Sequence, residues 1–306
     1  MIEIPPGLAV AAERGEGWAR WLEALPRLGN ELLAEWNLTP TGPLWHGYCS
    51  LVLAVITEDD TPAALKITYD GDIESRGEHL VLGRWQGRGA VRLLRASPAH
   101  RALLLERLSQ ETLKPLWDVA ACEVVGALYE RLHVPPMPQL PTVADYVTGW
   151  VAALAQDRAE VPIPRRYVDQ AISLARDLSA EPPTAVIHCD LHYDNVLRGE
   201  RYGEPAWLAI DPKPMNGWPA YECEPMVRNR YDEYGDAVRW GVRNRLGALI
   251  DAGGLDPDRA RDWVIVRSII NAHWTFADAL AASRQLTSAE QAHITGCIAV
   301  AKAVQD

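Results

Sequence analysis

The sequence predicts an α+β fold in two lobes, a β-rich N-terminal lobe over residues 1–108 and a mainly helical C-terminal lobe over 109–306. Three observations carry this. Residues 50–55 and 63–67 are short apolar runs joined by the turn-forming 58–62, the pattern of a hairpin. From residue 117 onward, apolar side chains recur at helical spacing over 117–133, 143–155 and 165–178. Two further buried-strand runs, 185–187 and 206–210, flank a polar loop in which Asp190 and Asn195 stand five apart.

Residues 1–40 open amphipathically, with Trp18, Trp21, Leu22, Leu25, Leu32, Leu33 and Trp36 on one side of helices expected to break near Pro26. Gly42, Gly47, Tyr48, Cys49 and Ser50 precede the hairpin where a phosphate-covering loop would belong. No GxGxxG is present there, and an ordinary strand-entry turn suits the same residues. Lys66 stands between apolar neighbours on the second strand. A helix over 73–85 follows, with Glu74, Glu78 and Leu82 on one face, and Gly87 and Gly89 mark its stop and a turn. Residues 103–108 read as a buried strand leaving the first lobe, which places the boundary near 108. A proline-bearing connection over 133–141 links the first two of the later helices, and a short pairing strand lies at 196–197. Beyond the polar loop, helices are expected over 231–252, 256–284 and 287–304, punctuated by Gly253, Gly254 and a Ser288 N-cap.

The polar loop carries the chemistry. A transferring phosphoryl group spreads charge over several oxygens, so a protein that catalyses the transfer must hold metal, hold phosphate and orient the attacking hydroxyl. In a loop of the form H-x-D-x-x-x-x-N, the Asp takes the nucleophile's proton, while the Asn and an Asp from the next strand hold magnesium. His188, Asp190, Asn195 and Asp211 occupy those positions. Asp190 is therefore the candidate catalytic base, and Asn195 and Asp211 are candidate ligands of Mg2+, a cation that prefers oxygen donors. Lys66 fits the strand lysine that pairs the α- and β-phosphates of a nucleoside triphosphate, with Glu78 as its partner and Glu74 in reserve. Ser50, from the loop before the hairpin, and the backbone of Glu106 to Leu108, where a hinge would meet an adenine ring, complete the nucleotide-binding candidates. ATP and GTP both fit the pattern. Asp211 is followed by Pro212, Lys213 and Pro214, not Phe-Gly, and no activation segment ending in Ala-Pro-Glu appears, which favours a small substrate over a protein.

The net charge of −11 opposes nucleic-acid binding and favours a cationic small substrate. Five scattered cysteines without CxxC spacing predict a reducing, cytoplasmic compartment and no zinc site. The N-terminus lacks the basic start and apolar core of a signal peptide, and no run of about 18 apolar residues would span a membrane. The pattern is compatible with any oligomeric state.

AALKI, LGRWQGRGAVRLL, IHCDLHYDNVL, and AIDPKP with GWPAYE after it stand in that order along the chain. Together they resemble the bacterial aminoglycoside and hydroxyurea antibiotic kinases, most closely the streptomycin 6-kinase branch, from about residue 45 to 280. The resemblance implies a protein-kinase-like fold and ATP-dependent O-phosphorylation of an aminoglycoside, most directly streptomycin at its 6-hydroxyl. By that likeness Asp190 is the base, Asn195 and Asp211 the magnesium ligands, Lys66 the phosphate lysine and Glu78 its partner. The competing functions are a kinase of hydroxyurea or another small hydroxylated metabolite, a protein kinase, and a silent nucleotide-binding module. The joint presence of Lys66, Asp190, Asn195 and Asp211 opposes the silent module. The chain departs from the family at Cys189, where Gly is usual, and at Trp218 and Glu222, where Asp is common. Streptomycin is a guanidinylated cation, so Glu222, Glu224, Asp232, Glu233, Asp236 and Asp278 are candidates to frame the acceptor, with Trp274 and Trp240 as walls. Each of these also suits a solvated charge or a core position.

Overall fold

The computed structural model describes residues 2–305. The chain divides into two compact units, one formed by residues up to Gln110 with Arg198–Lys213, the other by Glu111–Leu197 with the residues from Pro214 on.

The first unit is built on an antiparallel sheet of Thr39–His46 (β1), Ser50–Ile56 (β2), Pro62–Thr68 (β3), Leu93–Ser97 (β4) and Ala102–Glu106 (β5), in the order β1-β2-β3-β5-β4. The apolar runs of β2, β3 and β5 fill its centre. The unforeseen β1 is an edge strand, where Pro40 and Pro43 remove no ladder hydrogen bond that the sheet needs. Pro6–Ala9 (α1), a 3-10 turn over Val10–Arg14 and Glu16–Glu35 (α2) come first in the chain. Trp21, Leu22, Leu25, Leu32 and Leu33 of α2 share one apolar core with Leu51, Leu53, Leu65 and Ile67. That continuous buried face carries α2 straight through Pro26, where the sequence suggested a break. The helix expected over 73–85 is two pieces, a 3-10 turn over Glu74–Gly77 and Glu78–Trp85 (α3), closed by Gln86 and Gly87 in left-handed conformation.

The sequence reading places all of 109–306 in the helical part, but Arg198–Lys213 belongs to the β-rich unit. The reason is local. Val196–Arg201 (β7) and Glu204–Ala209 (β8) form a hairpin whose turn residues, Tyr202 and Gly203, both have positive φ. Arg201 donates from Nε to Gly87 O at 2.7 Å, from Nη2 to Ala90 O at 2.8 Å and from Nη1 to Glu106 Oε2 at 3.0 Å. Val91 and Ala209 are tied by a further backbone bond of 2.9 Å.

In the second unit, Asp118–Leu132 (α4), Val143–Gln156 (α5) and Arg165–Leu178 (α6) precede the short strand Ala185–Ile187 (β6), which pairs antiparallel with Met215–Gly217 (β9). Cys223–Arg228 (α7), Val238–Gly253 (α8), Pro257–Ala281 (α9) and Ser288–Ala303 (α10) follow. Helices α4 and α8 approach so closely that a Cβ at Gly126 would lie 2.6 Å from that of Ala252. The helix expected over 231–252 starts late, because Gly235 breaks a 3-10 stretch over Tyr231–Ala237 with φ 49° and ψ −129°. The cap of α10 is Thr287, not Ser288, in a reciprocal capping box with Glu290. Among the described residues no helix is long and apolar enough to cross a membrane.

Candidate active site

In the first unit, the pairing of β2, β3 and β5 places Lys66 in the middle of the sheet, 5% exposed. Its ammonium lies 2.7 Å from both carboxylate oxygens of Glu78 at the start of α3, and 2.6 Å from Asp211 Oδ1. Burial alone would make this lysine easier to deprotonate, but the Asp211 and Glu78 carboxylates outweigh it and raise its pKa above the ordinary value. Lys66 is therefore a fixed positive charge. The reserve partner Glu74 is exposed, with its backbone N–H donating to Asp72 Oδ1 at 3.2 Å. Ser50 is buried at the start of β2, and its carbonyl accepts from Gly47 N at 3.0 Å across the Gly47–Cys49 turn. The Glu106 carboxylate is occupied by Arg201, and its N–H donates to Arg92 O at 3.0 Å. Leu108 is half-buried.

In the second unit, β6 delivers the polar loop. Asn195 Nδ2 donates to Asp190 O at 2.8 Å and to Asp190 Oδ2 at 3.3 Å, so the two motif residues fix each other across the turn. The Asp190 side chain is 36% exposed, with His192 Nε2 3.8 Å from its Oδ1. The base of the loop is locked from behind. Glu222, fully buried, accepts from His188 N at 2.5 Å and from Cys189 N at 3.1 Å. Arg267 of α9 donates to Cys189 O and Tyr221 O, each at 2.8 Å. Cys189 itself sits at φ 67°, a left-handed conformation natural to glycine. Asp211 has φ 55°.

Sequence reasoning placed Glu222 and Glu224 at an acceptor site, and this is corrected by their burial. Glu222 holds loop backbone, and Glu224, also fully buried, accepts from Arg228 Nε at 2.8 Å and Asn271 Nδ2 at 2.9 Å. Asp232, Glu233 and Asp236 lie exposed on the 3-10 stretch, where Glu233 pairs with Arg230 Nε at 2.7 Å. Asp278 is exposed on α9, and Trp240 is 66% exposed on α8. Trp274 is half-buried, edge-on to Trp150 at 5.3 Å and Tyr146 at 6.0 Å. Trp218, the other departure, stacks on Trp263 at 5.4 Å and donates to Pro182 O at 3.1 Å, a core position. Trp150 is also edge-on, at 6.0 Å, to the buried His273, whose Nε2 meets Asp157 Oδ2 at 2.7 Å.

The donors present fit magnesium. Asn195 spends its amide nitrogen on Asp190 and so offers its oxygen, and Asp211 has a 31% exposed carboxylate. Both are hard oxygen donors. Among the described residues no group of three or more His, Cys, Asp or Glu side chains could hold a metal ion.

The structure is similar to that of choline kinase from Streptococcus pneumoniae, with a TM-score of 0.62 over 91% of this chain and 99% of that one at 11% identity. A β-sheet unit with a buried lysine–glutamate pair and a helical unit with an HxDxxxxN loop define a small-molecule kinase of protein-kinase-like fold. In sequence the chain is 39% identical over 297 residues to streptomycin 6-kinase from Streptomyces glaucescens, covering 92% of this chain and 94% of that one. It is 38% identical to hydroxyurea phosphotransferase from Kitasatospora aureofaciens, covering 91% and 82%. The profile of the aminoglycoside/hydroxyurea antibiotic resistance kinase family matches residues 35–279, and the chain belongs to that family.

Proposed function

We propose that the protein is an ATP- and Mg2+-dependent O-phosphotransferase acting on streptomycin at the 6-hydroxyl. The observation that carries the acceptor is the near full-length similarity to a streptomycin 6-kinase. Asp190 orients the acceptor hydroxyl and takes its proton as the oxygen–phosphorus bond forms and the bond to the departing ADP breaks. Lys66, steered by Glu78, neutralises phosphate charge, and Asn195 and Asp211 hold the metal. A magnesium ion held by those two residues would supply positive charge to offset that developing on the phosphate. Ser50 and the backbone of Glu106 to Leu108 contact the nucleotide. Asp232, Glu233, Asp236, Asp278 and Trp274 remain the acceptor-side candidates for a guanidinylated cation. All five cysteines are unpaired, which supports a cytoplasmic place of work.

The test is ADP release with streptomycin, other aminoglycosides and hydroxyurea as acceptors, ATP or GTP as donor, and Asp190→Ala as control. Streptomycin-dependent turnover that the control lacks, with phosphate mapped to the 6-hydroxyl, supports the proposal. Full activity of Asp190→Ala would refute the assignment of the base. A hydroxyurea kinase is the second reading, favoured by the 38% identity to a hydroxyurea phosphotransferase. Turnover with hydroxyurea alone would select it.

A further inference from the structure

Lys213 has no part in the roles assigned above, yet its ammonium lies 3.4 Å from Asp211 Oδ1, the oxygen that Lys66 approaches to 2.6 Å. Its other carboxylate neighbour is Asp72, 3.7 Å away. Two lysine–carboxylate pairs, Lys66 with Glu78 and Lys213 with Asp72, thus converge on one carboxylate oxygen. Both lysine side chains are shielded from water, at 6% and 15% exposure.

The second pair is not a simple ion pair. Asp72 is already satisfied by Ser75 Oγ at 2.6 Å and Cys49 Sγ at 3.2 Å on Oδ2, and by Glu74 N on Oδ1. Lys66 is committed to Glu78 at 2.7 Å, whereas Lys213 touches neither of its carboxylates at the 2.7–2.9 Å typical of charge-assisted bonds. Pro212 and Pro214 flank it and restrict the backbone that aims it. Three carboxylates around two ammonium groups leave no net positive charge to repel a metal, while the lysines supply donors for an anion.

We infer that Lys213 is a second phosphate-binding cation, its ammonium contacting phosphate oxygens of the bound nucleoside triphosphate beside Lys66. The inference rests on the kinase reading of the site and adds a residue to it. A lysine serving only as counter-ion to Asp72 would bring affinity for neither nucleotide nor phosphate.

The experiment is equilibrium binding of ADP and of adenosine, with Mg2+ present and no acceptor, to wild type, Lys213→Met and the double variant Asp72→Asn/Lys213→Met. Loss of one charge-assisted contact should weaken ADP by about tenfold or more in both variants and leave adenosine unchanged. Unchanged ADP affinity in Lys213→Met, or equal weakening of ADP and adenosine, would overturn the inference. Recovery of ADP affinity in the double variant would do the same, because it would make Lys213 a counter-ion for Asp72. If the single variant does not fold, the double variant, which removes the pair together, carries the comparison. Wild-type protein that binds no ADP would refute the nucleotide reading itself, and acceptor identity has no bearing on either result.

Discussion

Replacing Glu222 by Gln separates the two readings of that carboxylate. Its two oxygens accept from His188 N and Cys189 N, at 2.5 and 3.1 Å, in a fully buried setting. Glutamine keeps one acceptor oxygen and puts an NH2 where the other stood, so one backbone N–H loses its partner. That should cost about 1–3 kcal/mol of stability in the helical unit. Because Asp190 follows Cys189 directly, a loosened loop misplaces the base, and a displacement of about 1 Å lowers kcat roughly 100-fold. The Lys66–Glu78 pair should be unaffected, since both residues belong to the other unit. Urea unfolding and steady-state ADP release measure both effects. A variant with wild-type unfolding and kcat but a raised acceptor KM would refute the reasoning and return Glu222 to the acceptor site. Acid titration checks the same network. Burial works to raise the Glu222 carboxyl, but the His133 ring 3.6 Å away, followed by His188, outweighs it and holds the carboxyl below its ordinary value of 4.5. A carboxylate depressed on folding adds stability above its unfolded pKa and loses it as pH falls through the folded value. Wild type should therefore lose stability faster than Glu222→Gln as pH is lowered from about 4.5.

Lys66→Met leaves Glu78 and Asp211 without their shared cation, so it should destabilise the β-rich unit by about 3–5 kcal/mol and abolish measurable turnover, seen in melting curves and ADP release. Cys189→Gly should stay within about 1 kcal/mol of wild type and remain active, because relief of the left-handed strain offsets the extra freedom of glycine in the unfolded chain; lost activity would give the thiol a role of its own. Burial pushes the thiols of Cys49, Cys122 and Cys297 up to about 12, and all five cysteines are buried, so none should react with a disulfide reagent at pH 8 until denaturant exposes them. Chelating divalent metal should stop turnover, with recovery on adding Mg2+ and not Zn2+, as hard oxygen ligands require.

What the sequence shows here follows the range over which each signal acts. Lys66 and Glu78 were legible because strand alternation and helical periodicity fix which side chains face each other within a few residues. Asp190 and Asn195 were legible because their contact is made inside one turn. Lys213 was not, since its meaning depends on Asp72, far away in the chain, and Pro-Lys-Pro alone reads as a bend. The continuous α2 was hidden for a related reason. Local chemistry at Pro26 favours a break, and only the shared core with β2 and β3 overrides it.

Glu222 and Glu224 were misread through the general habit of carboxylates to lie in water. A signal was present, because both stand within the stretch WPAYECEPMV, with no other charge and apolar residues on both sides. A carboxylate in such surroundings must be buried, and a buried carboxylate needs donors. The donors nearest to hand were the backbone N–H groups of a loop that cannot pair them in a strand. Cys189 completes the argument. With φ at 67°, it turns its own N–H toward Glu222 and its carbonyl toward Arg267, so the strained residue is held by an anion on one side and a cation on the other. The strain is therefore tied to the position of Asp190, the next residue, and the shape of the loop depends on two buried charges behind it, Glu222 and Arg267.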